Sequence, residues 1–236
     1  MYKYRPTAQV FEFFAPMICQ SIELTKGKTL NHPLLQVDNF HCERDDRILF
    51  QGVNFTLDRG EILQVVGHNG CGKTTLLRSI CGLSSYANGG VHWRGKPLAE
   101  VAADFRREVL FHGHLAGVKA LLTPRENLLW FVDVYCQGGG DIDKALSEVG
   151  LFGYEDVPCG NLSAGQLRRV ALAKLLLSPS TLWVLDEPFT AIDVHGIAML
   201  QALLQQHLTK GGAVLLTSHQ AIDVPAVRSL NLEMFK

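Results

Sequence analysis

Two short stretches of the chain carry residues that could do phosphate chemistry together. The first, Gly67-His68-Asn69-Gly70-Cys71-Gly72-Lys73-Thr74-Thr75, matches the pattern G-x-x-x-x-G-K-[ST]. Glycines in such a loop let successive backbone N–H groups wrap an anion without Cβ clashes, and a helix opening directly after it presents its own unsatisfied N–H groups to the same anion. On this reading Lys73 reaches the β- and γ-phosphates of ATP, and the Thr74 hydroxyl is a ligand for Mg2+. The second stretch, Leu182-Trp183-Val184-Leu185-Asp186-Glu187, is an apolar run ending in two acids. A buried strand tolerates carboxylates only at its mouth, where a cation or water offsets desolvation. Asp186 is then placed to hold Mg2+, and Glu187 to orient and polarise an attacking water. Each has an ordinary reading alone: a glycine turn, a solvated acidic turn. Their combination implies hydrolysis of a nucleoside triphosphate.

These groups need rigid elements to hold them. Ile62–Val66 reads as a buried strand feeding the glycine loop, and Lys73 to about Cys81 as the helix that follows. Leu34–His41 and Ile48–Leu57 read as strands, Asn88-Gly89-Gly90 as a turn, and Val91–Arg94 as another short strand. Residues near 98–160 read mostly as helices, one opened by Pro124-Arg125-Glu126-Asn127 and another over Asp141–Val149. A helix over 163–177, a strand at Thr181–Asp186, a helix over Ile197–Leu208 and a strand at Ala213–Thr217 complete the pattern. Strand–helix alternation at both ends of a helical middle predicts an α/β fold with a parallel core sheet and a helical insertion.

Composition sets bounds. The chain has 236 residues, 47% hydrophobic and 19% charged, enough for one large α/β domain with a substantial core. A net charge of −1 gives no basic footprint, so nucleic acid is not expected as a partner. The apolar stretch Leu121–Cys136 is broken by Pro124, Arg125, Glu126 and Asp133, so a membrane span must come from another chain. Six scattered cysteines without a CxxC pair favour reduced thiols over a disulfide framework or zinc site. His112 and His114 lack further ligands for a metal centre. Residues 1–33 show no clear period and read as an N-terminal extension, either a mobile arm or residues upstream of the natural start.

Between the two phosphate motifs lies Leu162-Ser163-Ala164-Gly165-Gln166, at a helix start. Here the sequence resembles the ABC ATPase family, whose signature is L-S-G-G-Q; Ala164 replaces the first glycine of its pair. The resemblance runs from about Leu34 to Leu232. It implies a P-loop NTPase fold over 34–236, with a mainly parallel core sheet, an antiparallel β part and a helical subdomain over about 98–165. It also implies a homodimer in which Ser163, Gly165 and Gln166 complete the partner subunit's nucleotide site. Thr190-Ala191-Ile192-Asp193 looks like the family's D-loop, which puts Asp193 between the two sites, and His219 looks like its switch histidine, bonding the γ-phosphate. Taken without the resemblance, Ser163 is simply a helix N-cap.

Two positions depart from the family pattern. His114 stands where the family usually has the glutamine of a loop facing the membrane subunit. Arg44 stands where an aromatic usually stacks on adenine; Arg44 itself, or nearby Phe40, would take that place. Cys71, inside the phosphate loop, is read either as a small residue at a permissive position or as a thiol activated by the surrounding N–H dipoles.

Within the family, the ATPases of the cytochrome c maturation (haem export) system are most similar, through Cys42-Glu43-Arg44-Asp45, Gly113-His114, the segment Leu162–Ala173 and the segment Thr181–Asp193. That branch implies integral membrane permease subunits as partners and peripheral attachment at the cytoplasmic face of a bacterial inner membrane. The work energised would be haem export or haem chaperone release in c-type cytochrome assembly. The alternatives are an ATPase for another exporter, or a soluble ABC protein acting on nucleic acid or ribosome. The single set of motifs and the lack of a long heptad run stand against the last.

Overall fold

A computed structural model describes residues 32–44, 47–85, 87–114, 117–136, 139–220 and 222–236. The expected extension over 1–33 therefore falls almost wholly outside the described residues. In chain order the elements are β1 (Leu35–Arg44), β2 (Arg47–Leu57), β3 (Ile62–Val66), α1 (Lys73–Ile80), β4 (Ala87–Trp93), β5 (Lys96–Pro97), α2 (Ala102–Glu108), β6 (Val109–His112), α3 (Pro124–Tyr135), α4 (Ile142–Glu148), α5 (Ala164–Leu177), β7 (Leu182–Asp186), α6 (Val194–Thr209), β8 (Ala213–Thr217) and β9 (Val227–Asn231). A short 3-10 turn, Leu232–Phe235, follows.

Two sheets result. β6-β7-β8-β3-β9 pair in that order, all parallel, and β2-β1-β4-β5 form an antiparallel sheet. The inner parallel strands β7, β8 and β3 are largely apolar on both faces because both are covered. Leu63, Val65, Leu182, Val184, Ala213 and Leu215 face a core shared with α1 and the antiparallel sheet. Their alternates Ile62, Trp183, Leu185, Val214 and Leu216 pack against α5 and α6. A third core joins α3, α4 and α5 around Leu128, Leu146, Leu151 and Val170. α3 starts sharply because Thr123 and Glu126 form a reciprocal capping box ahead of Pro124.

Three expectations need correction. The middle of the chain is not continuously helical: β6 lies inside it and forms the edge of the parallel sheet beside β7. Asn88-Gly89-Gly90 is not a turn but part of β4, paired with β1 at a register shift. Gly89, at φ 135, lets the backbones meet there, since a Cβ would stand 2.7 Å from the Asn39 carbonyl oxygen. Phe40 is not free to stack on a nucleotide: it is buried and stacked on Phe50, with ring centroids 6.3 Å apart. Arg44 is exposed at the end of β1.

Two buried histidines link packing to pH. His207 stacks on the Trp183 indole at 3.8 Å, and its pKa is pushed down to about 4, by burial above all. His112, at the end of β6, is pushed down to about 3 by burial and by the positive charge of Arg168 and Lys174. Both are neutral in the folded state, whereas the unfolded chain titrates them near 6.5. Below that value the unfolded state binds more protons, so stability must fall as pH drops from about 6.5 towards 4, by about 2 kcal/mol or more per histidine at pH 4.5. Urea unfolding at pH 7.5, 5.5 and 4.5 checks this, and His207→Phe is expected to flatten the slope. An unchanged slope in that variant would remove His207 from the explanation.

Candidate nucleotide site

All the chemistry-bearing loops emerge at one edge of the parallel sheet, beyond the carboxyl ends of its strands, where open α/β sheets place their ligands. β3 delivers the loop from Gly67, and β8 lies between β3 and β7, bringing Thr217 level with Asp186.

The loop is shaped by its glycines and held by Lys73. Gly72 has φ 107, and a Cβ there would press within 3.1 Å of the Phe50 ring, so only glycine fits. Gly72 also caps α1 without any side-chain bond to its N–H groups, which leaves that helix start available to an anion. Lys73 is largely buried, and its Nζ donates to the Gly67 carbonyl at 2.7 Å and the His68 carbonyl at 3.3 Å. Cys71 is buried, and its amide donates to the His68 carbonyl at 3.3 Å. Burial favours the packing reading of that thiol over an exposed reactive one.

Asp186 is 1% exposed. Its carboxylate accepts the Thr74 hydroxyl at 2.9 and 3.1 Å and the Thr217 hydroxyl at 2.8 Å. A buried carboxylate beside a threonine hydroxyl is a hard oxygen donor set, which suits a small divalent cation. Glu187 follows with φ 51, a left-handed backbone that costs a non-glycine residue about 1–2 kcal/mol. The backbone is gripped from both sides. Its N–H donates to Thr217 Oγ1 at 2.9 Å, and its carbonyl accepts from Arg168 Nη2 at 2.7 Å. His219 is half exposed and gathers three partners at Nε2: Asn69 Oδ1 at 3.0 Å, Lys73 Nζ at 3.4 Å and Glu187 Oε1 at 3.4 Å.

The structure thus brings Gly67, His68, Asn69, Lys73, Thr74, Asp186, Glu187 and His219 into one bonded cluster. Ser163, Gly165, Gln166 and Asp193 make their contacts elsewhere. Ser163 and Gln166 form a capping box that starts α5. Asp193 caps α6 through the Gly196 amide at 2.9 Å and pairs with Arg169 at 2.8 Å. The Gly196 bond, with Arg169, holds its carboxyl below the usual range. Among the described residues no group of three or more potential ligands from His, Cys, Asp and Glu comes together.

Several participants were not singled out from the sequence. Thr217 joins Asp186 to Glu187, and its only signal was a hydroxyl ending an apolar strand. Gln64, buried inside β3, donates to the Ser218 and Gln220 carbonyls at 3.1 and 3.2 Å and so fixes the His219 turn. Glu233 accepts the His68 amide at 2.6 Å. Arg168 had no sequence signal.

The profile of the ABC transporter family matches residues 50–190. This chain belongs to the ABC transporter ATP-binding family. It is 51% identical over 201 residues to the cytochrome c biogenesis ATP-binding export protein CcmA 2 of Salmonella paratyphi A, covering 84% of this chain and 97% of that protein. It is 52% identical over 195 residues to CcmA of Yersinia pestis bv. Antiqua, covering 82% and 88%. An ABC transporter ATP-binding protein from Pyrococcus furiosus superposes with a TM-score of 0.74 at 24% identity, covering 86% of this chain and 98% of that one, which bears on fold alone. As an ABC ATPase subunit the chain binds nucleotide, hydrolyses ATP and works with membrane subunits. Among the described residues no helix is long and apolar enough to cross a membrane.

Proposed function

We propose that this ABC ATPase energises an exporter for c-type cytochrome biogenesis, as a homodimer attached peripherally to integral membrane subunits at the cytoplasmic face of a bacterial inner membrane. The observation that carries the reading is the convergence of Lys73, Thr74, Asp186, Glu187 and His219 at one sheet edge, in a chain whose relatives at 51% and 52% identity are named cytochrome c biogenesis ATP-binding export proteins. The phosphates of ATP lie on the loop from Gly67 to Thr75 and the start of α1, with Lys73 at the β- and γ-phosphates. Thr74 and Asp186 would hold Mg2+, which when bound neutralises charge developing on the phosphates. Glu187 accepts the proton of the attacking water, and His219 bonds the γ-phosphate and registers its loss.

Two features support a second copy of the chain. The cavity flanking the loop, lined by Arg47, Leu49, Gly70, Cys71 and Lys236 among others, holds about 150 Å3. Ligand pockets usually enclose roughly 300 Å3 or more, so one chain offers an open platform. The Ser163 segment stands at a helix start that suits a phosphate supplied from across an interface. On α3, Leu129, Trp130, Val134 and Tyr135 are exposed apolar residues, a face suited to the membrane subunits.

The test is co-purification of the Glu187→Gln chain from solubilised native membranes with ATP present. Recovery of the membrane subunits of cytochrome c maturation is expected. Recovery of an unrelated permease would discard the cytochrome assignment and leave the ATPase standing.

A further inference from the structure

We propose that Arg168 is a positioning residue for ATP hydrolysis, holding Glu187 in its working register and tying that register to the Gly113–His114 loop. The inference rests on the reading of Glu187 as the base.

Arg168 sits on α5, only 4% exposed, and among the described residues its guanidinium has no carboxylate partner at bonding distance. It serves main-chain oxygens from two neighbouring strand ends instead. Nη1 donates to the His114 carbonyl at 3.0 Å and more weakly to the Gly113 carbonyl at 3.4 Å. Nη2 donates to the Glu187 carbonyl at 2.7 Å. β6 and β7 are adjacent and parallel, with His112 level with Leu185, so the loops leaving them run side by side and the planar fork bridges the gap.

Burying a cation only to solvate main-chain oxygens is expensive, since its desolvation is not offset by an opposite charge in contact. Such a group is best explained by what it fixes. Glu187 stands at φ 51, outside the preferred backbone regions, and three bonds hold its backbone there: its N–H donates to Thr217 Oγ1, and its carbonyl accepts from Arg168 Nη2 at 2.7 Å and, less tightly, from the Thr190 N–H at 3.2 Å. Thr217 belongs to the sheet interior and is fully buried. Arg168 is therefore the side of the grip that the exposed His114 loop can move. Without Arg168 the carbonyl keeps only the longer bond from the Thr190 N–H, so the peptide can relax and shift the carboxylate from its place, 3.4 Å from His219. A lysine cannot replace the fork, because one ammonium cannot span both carbonyl groups.

The experiment compares wild type, Arg168→Gln, Arg168→Lys, Glu187→Gln and the double variant Arg168→Gln/Glu187→Gln. Each full chain is purified with its membrane subunits and measured for ATP bound per chain and for kcat and KM. Misplacement of a catalytic group by about 1 Å costs on the order of 100-fold, so Arg168→Gln is expected to lower kcat by roughly 30–100-fold, with KM and ATP occupancy within about 3-fold. Arg168→Lys should fall between it and wild type. The double variant should be no slower than Glu187→Gln alone, since residues acting through one another do not add. A merely structural role would lower occupancy and leave kcat per bound ATP intact. Independent, additive losses, an unchanged kcat, or failure of both Arg168 variants to bind ATP would overturn the proposal. Full turnover by Glu187→Gln would instead overturn the assignment of the base on which it rests.

Discussion

Glu187→Gln is expected to lower ATP turnover about 10^3-fold, equivalent to about 4 kcal/mol of transition-state stabilisation, while ATP affinity stays within a few-fold. The substitution keeps the size of the side chain and leaves the backbone bonds of residue 187, to Thr217, Arg168 and Thr190, untouched. Only the capacity to accept a proton from water is removed. The anchors of Lys73 and Thr74 do not involve that carboxylate, since Lys73 is held on the Gly67 and His68 carbonyls and Thr74 on Asp186. The variant should therefore load ATP and hold it. Single-turnover hydrolysis and the ratio of bound ATP to ADP read this directly. ADP accumulating at the wild-type rate would mean that another group takes the proton, and His219, 3.4 Å from Glu187, would be next in line.

Legibility in the sequence followed the range of the interactions involved. The phosphate loop was readable because its chemistry is set by residues within nine positions of one another. β3, β7 and β8 were readable because strands covered on both faces become short, mostly apolar runs. β6 was not: Val109–His112 is four residues long and follows directly on α2, so its strand character comes from pairing with β7, seventy residues on. β9 has only two apolar side chains in five, as an edge strand can, and left no pattern to read. Asn88-Gly89-Gly90 carries turn residues, yet the chain uses the missing side chain of Gly89 to bring two strands together. Phe40 illustrates the converse error. Its position suggested a nucleotide contact, but its packing on Phe50 in the core decides its role. Arg168 was beyond sequence reasoning altogether. Its partners are main-chain carbonyls, identical in every residue type, on segments brought beside α5 only by the sheet.

Lys73→Met should separate binding from chemistry in the opposite sense. The unbranched thioether fills most of the volume of the lysine stem, so the half of the residue that packs is retained. The charge is lost, and with it the donor that now bonds the Gly67 carbonyl at 2.7 Å and approaches His219 at 3.4 Å. On the proposed reading that donor serves the β- and γ-phosphates of bound ATP, where bonds to a charged group contribute about 1.5–3 kcal/mol each. Two of them weaken ATP binding by about 10^2-fold or more, at roughly 1.4 kcal/mol per tenfold. Turnover should fall further at any fixed ATP concentration, because in the transition state negative charge develops on the leaving oxygen between the β- and γ-phosphates and spreads over the γ-phosphoryl oxygens while the lysine cation is missing. ADP, lacking the γ-phosphate, should lose less affinity than ATP. Equilibrium titration with ATP and ADP on wild type and variant measures that difference. If the variant bound ATP within 3-fold of wild type, the anion would have to be held by the loop amides and the start of α1 alone, and Lys73 would be a strut for the Gly67 carbonyl rather than a ligand of phosphate.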